Sequence, residues 1–186
     1  MDCASLVLEM NLQYCLHNSS CPVVRRNSNE FEGLSDQWAP IILFLLWLFA
    51  VIDHYSDEIL GWHIVNVGQG DRFAALEPIK QGLRKICGAV GRDIGKGIAI
   101  RHDWGPQYIA HDFKTELKFF GLKNSPALVH EPQTNGVIER FFKTLKMECL
   151  WIHDFTDVEQ AREIVGPWME LYNTQWLIER HGHKTP

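Results

Sequence analysis

Residues 41–52 read Ile-Ile-Leu-Phe-Leu-Leu-Trp-Leu-Phe-Ala-Val-Ile, twelve apolar residues without a break, ended by Asp53. A helix that spans a bilayer needs about 20 such residues, so the run is too short for that purpose. Unbroken apolarity over this length suits a central strand buried on both faces, with its first residues belonging to a preceding turn or strand. A sheet covered on both sides places the chain in the α/β class.

The segments that follow alternate in the same sense. Asp53 to Asp57 reads as a turn, with Asp53 closing it through its own backbone, and Ile59 to Val65 reads as the partner strand of a hairpin. Asp71 is a suitable N-cap for a helix to about Ile86, with Phe73, Leu76, Ile79, Leu83 and Ile86 on one stripe and Gly88 beyond it. A strand over Gly97 to Ile100, a short helix around Asp112 to Phe120 and an edge strand over Pro126 to Val129 come next. Thr156-Asp157-Val158-Glu159 has the form of a capping box, opening a helix that runs to about Tyr172. Residues 1–33 hold no steady period; Leu6 to Leu12 suggests one helical turn or two, within a segment of low order.

A length of 186 residues suffices for one domain with a sizeable core. The net charge of −5 argues against a nucleic-acid partner until it is divided along the chain. Residues 80–148 carry +5, against −7 before them and −3 after them. Positive charge is thus gathered where a phosphate-binding surface would need it. The five cysteines include no C-x-x-C pair, which points to free thiols in a reducing cytosol rather than to disulfides or a zinc module. No basic and apolar leader of the secretory kind stands at the start.

Within the basic segment two acids stand out. Asp103 ends the strand at Ile100, and Glu139 lies one turn into an amphipathic helix, with thirty-five residues between them. Carboxylates at a strand end and on a helix face can converge on a hard divalent cation, which keeps positions open for phosphate and water. Lys143 and Lys146, four and seven residues beyond Glu139, share its helical face and are suited to phosphate. A Glu with two Lys on an exposed helix is also ordinary helix support, so the flanking residues decide between the readings. They are His102-Asp103-Trp104-Gly105-Pro106-Gln107-Tyr108 before, and Pro132-Gln133-Thr134-Asn135-Gly136-Val137-Ile138-Glu139-Arg140-Phe141 after.

These two motifs, in this order, resemble the catalytic core of the DDE transposases of bacterial insertion sequences, a core shared with retroviral integrases. The resemblance runs from about Trp47 to Pro186 and includes Tyr172-Asn173, Arg180-His181 and Thr185-Pro186. It implies a ribonuclease H-like fold, a mixed sheet of about five strands flanked by helices, with residues 34–186 as the core and 1–33 outside the family pattern. It further implies DNA strand cleavage and strand transfer at two Mg²⁺ or Mn²⁺ ions held by Asp103, Glu139 and a first acid. Asp36, seventeen residues before Asp53, is the candidate for that acid, although Pro40 interrupts the strand expected around it. Lys146, Lys143, Arg140, Asn135 and Gly136 are the expected DNA contacts, with Trp104, Gly105 and Gln107 lining the strand. His54, His102, His181 and His183 read as surface residues, since no zinc-like spacing joins them.

The resemblance also implies element ends and target DNA as partners, self-association on DNA, a separate end-binding module and a bacterial cytosolic setting without membrane. Two other readings stand beside it: a nuclease of the same fold, and a DNA-binding remnant without catalysis. Both are consistent with an N-terminal segment that departs from the family.

Overall fold

The computed structural model describes residues 7–12, 46–127 and 136–186. Five strands, β1 (Val7–Leu12), β2 (Leu46–Asp53), β3 (Ile59–Asn66), β4 (Ala99–His102) and β5 (Lys123–Pro126), form one mixed sheet in the order β3-β2-β1-β4-β5. β1 to β3 are antiparallel neighbours, whereas β4 runs parallel to both β1 and β5. Five helices accompany them: α1 (Arg72–Cys87), α2 (Pro106–Ile109), α3 (His111–Phe120), α4 (Gly136–Glu148) and α5 (Val158–Gln175).

The apolar run is the strand the sequence suggests, with residues 41–45 outside the described part. Alternation along β2 divides its side chains between two cores. Leu46, Leu48, Ala50 and Ile52 join α4 and α5 on one face, while Phe49 and Val51 join α1 and α3 on the other. All six are fully buried, which is why no polar residue interrupts the run.

Asp71 caps α1 as expected, its Oδ1 accepting from the backbone N–H of Phe73 and Ala74 at 2.9 Å, and Gly88 ends the helix in the left-handed region at φ 76°. α1 lies so close to β3 that a Cβ on Gly61 would stand 2.2 Å from the carbonyl oxygen of Pro78. Asp53 also acts as expected, accepting from the N–H of Tyr55 and Ser56 and from the Ser56 hydroxyl to close the hairpin turn.

Three elements differ from the sequence reading. Residues 7–12 form a strand in the middle of the sheet rather than a helical turn, because β2 and β4 each supply a ladder to one of its edges. β5 begins at Lys123, three residues before the expected edge strand, drawn into register by parallel pairing of Ala99 to His102 with Lys123 to Pro126; residues 128 and 129 lie outside the described part. The cap of α5 is Asp157 rather than Thr156: Asp157 Oδ1 accepts from Gln160 N–H at 2.8 Å, and Gln160 Oε1 accepts from Thr156 N–H at 2.7 Å.

β3 is an edge strand, and side chains from elsewhere occupy its free backbone groups, which blunts the edge against pairing with another chain. Asn173 accepts from Ile59 N–H and donates to Ile59 C=O, both at 2.8 Å. Gln81 accepts from Trp62 N–H, and Arg162 donates to Ile64 C=O.

Candidate active site

β4 carries Ile98 and Ile100 into the core beneath α1 and α3, and His102 continues that alternation. His102 is therefore buried, not a surface residue as its sequence context suggests. Its Nδ1 lies 2.6 Å from the Asp103 carbonyl oxygen and its Nε2 lies 2.6 Å from Asn124 Oδ1. The ring stacks at a tilt on Tyr108, 5.0 Å away, and meets Phe113 edge-on at 5.9 Å. His102, Tyr108 and Asn124 thus hold the end of β4 in place. The signal for them was the period-2 pattern running into the motif.

The next position, Asp103, takes the opposite parity, toward the face covered by α4. Its Oδ1 accepts the Gly105 N–H at 2.8 Å, and among the described residues Oδ2 accepts no hydrogen bond. A Cβ at residue 105 would stand 2.9 Å from that Oδ1, so a side chain there would displace the carboxylate. Partial burial pushes the Asp103 carboxyl above the usual range, and the Gly105 bond and the nearby His102 oppose the shift. The Tyr108 hydroxyl is buried without a partner among the described residues, and burial raises it well above the ordinary phenol value.

α4 packs on β1 and β2 through Val137, Ile138, Phe141, Phe142 and Leu145. That face leaves Glu139 and Lys143 exposed and Lys146 partly buried; burial lowers the Lys146 ammonium from its ordinary value. The 3.6-residue repeat sets these three in one row. Gly136 starts the helix, Arg140 is exposed on its flank, and Asn135 lies outside the described residues. Trp104 is exposed and donates its Nε1–H to Ala127 C=O, and Gln107 donates to Gly70 C=O.

Asp36 also lies outside the described residues. The strand between β2 and β4 is residues 7–12, in which Glu9 pairs with Ile52 on one side and with Arg101 on the other, and Asn11 pairs with Ala50.

The donors of Asp103 and Glu139 suit a hard divalent cation: both are carboxylates, one has an uncommitted oxygen, and its burial favours a neutralising charge nearby. Among the described residues no three His, Cys, Asp or Glu side chains gather as a metal cluster.

A sheet in the order β3-β2-β1-β4-β5 flanked by helices has parallels among solved structures. The catalytic core domain of BIV integrase superposes with a TM-score of 0.53 at 15% identity, over 91% of this chain and 84% of that one. The Mos1 pre-cleavage transpososome matches with a TM-score of 0.60 at 10% identity, over 88% of this chain and 48% of that one. The fold is ribonuclease H-like, as in these cores. Residues 121–186 match the family model of the integrase core domain. The transposase of IS904 from Lactococcus lactis is 28% identical over 142 residues, which cover 76% of this chain and 53% of that protein. Transposase InsF of IS3A from Escherichia coli is 26% identical over 157 residues, covering 81% and 51%. The chain therefore spans about half the length of these relatives.

Proposed function

We propose that this core carries out metal-dependent cleavage and joining of DNA strands in transposition. The observation that supports this reading best is the placement of Asp103 at the end of β4 beside β1, with Glu139 in the first turn of the helix that crosses β1. The transposases and integrases that share the fold give it the same direction.

In this reading Asp103 and Glu139 would hold Mg²⁺ or Mn²⁺, two ions in all, which when bound would supply activation of the attacking oxygen and stabilisation of the leaving one. The chain's own part is positional. Gly105 orients Asp103 through Oδ1, and His102 and Tyr108 fix the strand end behind it. Lys143 and Lys146, in the row of Glu139, hold phosphates and so set the scissile bond; their charge gives affinity rather than sequence choice. Water attacks first at the element's end, and the 3′-hydroxyl so released attacks target DNA.

For the third ligand the sequence resemblance points to Asp36, and Glu9, whose backbone pairs with Arg101 beside the end of β4, is the alternative. Mn²⁺ titration of Asp36→Asn and Glu9→Gln distinguishes them, since only the variant lacking the true ligand binds the ion more weakly.

DNA ends and target DNA are the proposed substrates, with self-association on DNA, a separate end-binding module or chain, and a bacterial cytosolic setting. No described helix is long and apolar enough to cross a membrane. The test is nicking and joining of labelled DNA ends with Mg²⁺ or Mn²⁺, comparing the chain with Glu139→Gln. Joining that the substitution abolishes supports the proposal. Cleavage without joining identifies a nuclease, and salt-sensitive binding without cleavage identifies a remnant.

A further inference from the structure

The C-terminal segment closes over the flank of α4 to leave a pocket of about 560 Å³, with Arg140, Phe141, Thr144, Tyr172, Trp176 and Arg180 in its wall. The helical repeat separates this flank from the catalytic row. Glu139, Lys143 and Lys146 fall within about 60° of one another, and Arg140 and Thr144 lie roughly a quarter turn away. A strand held by the first row would therefore have this flank within a quarter turn of α4.

Three features of the wall suit a nucleotide. Arg140 is exposed and pairs with no carboxylate among the described residues, whereas Arg180 is committed to the buried Asp57. Tyr172 is 3% exposed; burial and the nearby Asp57 carboxylate push its phenol up, and the Arg180 and Arg140 guanidiniums oppose the shift. Its ring packs against Trp168, 5.6 Å away, and Trp176, 6.2 Å away, and those two rings lie 6.1 Å from each other; of this aromatic cluster Tyr172 and the partly exposed Trp176 line the cavity. Asp57 and Glu179 also line the pocket; with Asp57 taken by Arg180, Arg140 is the lining cation that has no ion pair among the described residues and is placed to receive an anion.

We propose that this pocket seats one nucleotide of a DNA strand beside the Glu139 row, its phosphate on the Arg140 guanidinium and the Tyr172 hydroxyl and its base against Trp176. Aromatic faces accept any base, while a guanidinium supplies the phosphate contact, the pairing used by proteins that bind single strands. This inference rests on the DNA reading above and assigns an accessory subsite to it.

The test is fluorescence anisotropy of a labelled single-stranded oligonucleotide in EDTA across a salt series, so that metal chemistry plays no part. Arg140→Gln is expected to weaken binding and to make the slope of log K against log salt shallower by about 0.7, the value for one lost single-strand phosphate contact. Tyr172→Phe, which keeps the ring, is expected to weaken binding roughly two- to tenfold with the slope unchanged. A nucleoside monophosphate is expected to compete better than inorganic phosphate. Wild-type binding in both variants, with unaltered melting temperatures, overturns the pocket while leaving the DNA reading intact. Equal competition by phosphate overturns the nucleotide assignment. No oligonucleotide binding by the wild-type chain overturns the pocket together with the DNA reading.

Discussion

Arg180 grips Asp57 with two nitrogens, Nε to Oδ2 at 2.6 Å and a terminal nitrogen to Oδ1 at 2.7 Å, and so ties the end of the chain to the β2–β3 turn. The same terminal nitrogen donates to the carbonyls of His54 and Tyr55, and His181 Nε2 lies 3.1 Å from Asp57 Oδ2. Asp57 occupies the left-handed region at φ 63°, which Asn also tolerates. Removing one partner from such a pair leaves the other desolvated and unmatched. Asp57→Ala is therefore expected to cost about 2–4 kcal/mol of stability, and Asp57→Asn less, in urea unfolding. Equal stability in all three chains would show the clamp to be ornamental.

Asp103 introduces a pH dependence of definite sign. Burial raises its folded-state pKa above the unfolded value, so the ionised form is penalised in the folded protein and the penalty grows as pH rises between the two values. In EDTA at neutral pH, Asp103→Asn should melt above wild type. The difference should vanish below about pH 4, where the carboxyl is protonated in both states. Mg²⁺ should raise the wild-type melting temperature and leave that of Asp103→Asn unmoved.

Gly61→Ala tests the approach of α1 to β3. The added methyl would meet the Pro78 carbonyl oxygen at 2.2 Å and Gln81 Cβ at 2.8 Å, and the first of these is backbone that can yield only by moving the helix. Loss of about 2–3 kcal/mol is expected in thermal or urea unfolding. Gly68→Ala, which would meet nothing within 4 Å, is the comparison and should change stability little.

Cys149 is 1% exposed, and burial pushes its thiol up to about 11. The thiolate is the reactive form, so a thiol reagent at pH 8 should leave Cys149 unmodified in the folded protein. Peptide mapping after brief labelling checks this: modification of Cys149 should appear only when denaturant is added.

The hairpin and α1 were legible because local pattern and tertiary environment agree there. Twelve apolar residues admit no exposed face, and Asp71 and Gly88 mark the ends of one amphipathic stripe. β1 was not legible in the same way. Leu8, Met10 and Leu12 do alternate with Glu9 and Asn11, but six residues among polar neighbours carry a weak signal until a ladder forms on each side. His102 was misread for a related reason. A histidine beside an acid looks polar in sequence, whereas its place in β4 turns it toward Tyr108 and Phe113.

By itself the sequence determined the two motifs, the spacing of Asp103 and Glu139, the helical row that adds Lys143 and Lys146, and the fold class, because all of these depend on residue type and local period. Tertiary structure decided which strand lies between β2 and β4, what a side chain at residue 105 would displace, and what Asn173 and Arg180 hold. Each depends on groups distant in the chain: β1 is paired by residues 49–53 and 99–102, and Arg180 reaches a carboxylate 123 positions earlier. Such pairings leave no period in the sequence, since their energy comes from partners that only the folded chain brings together.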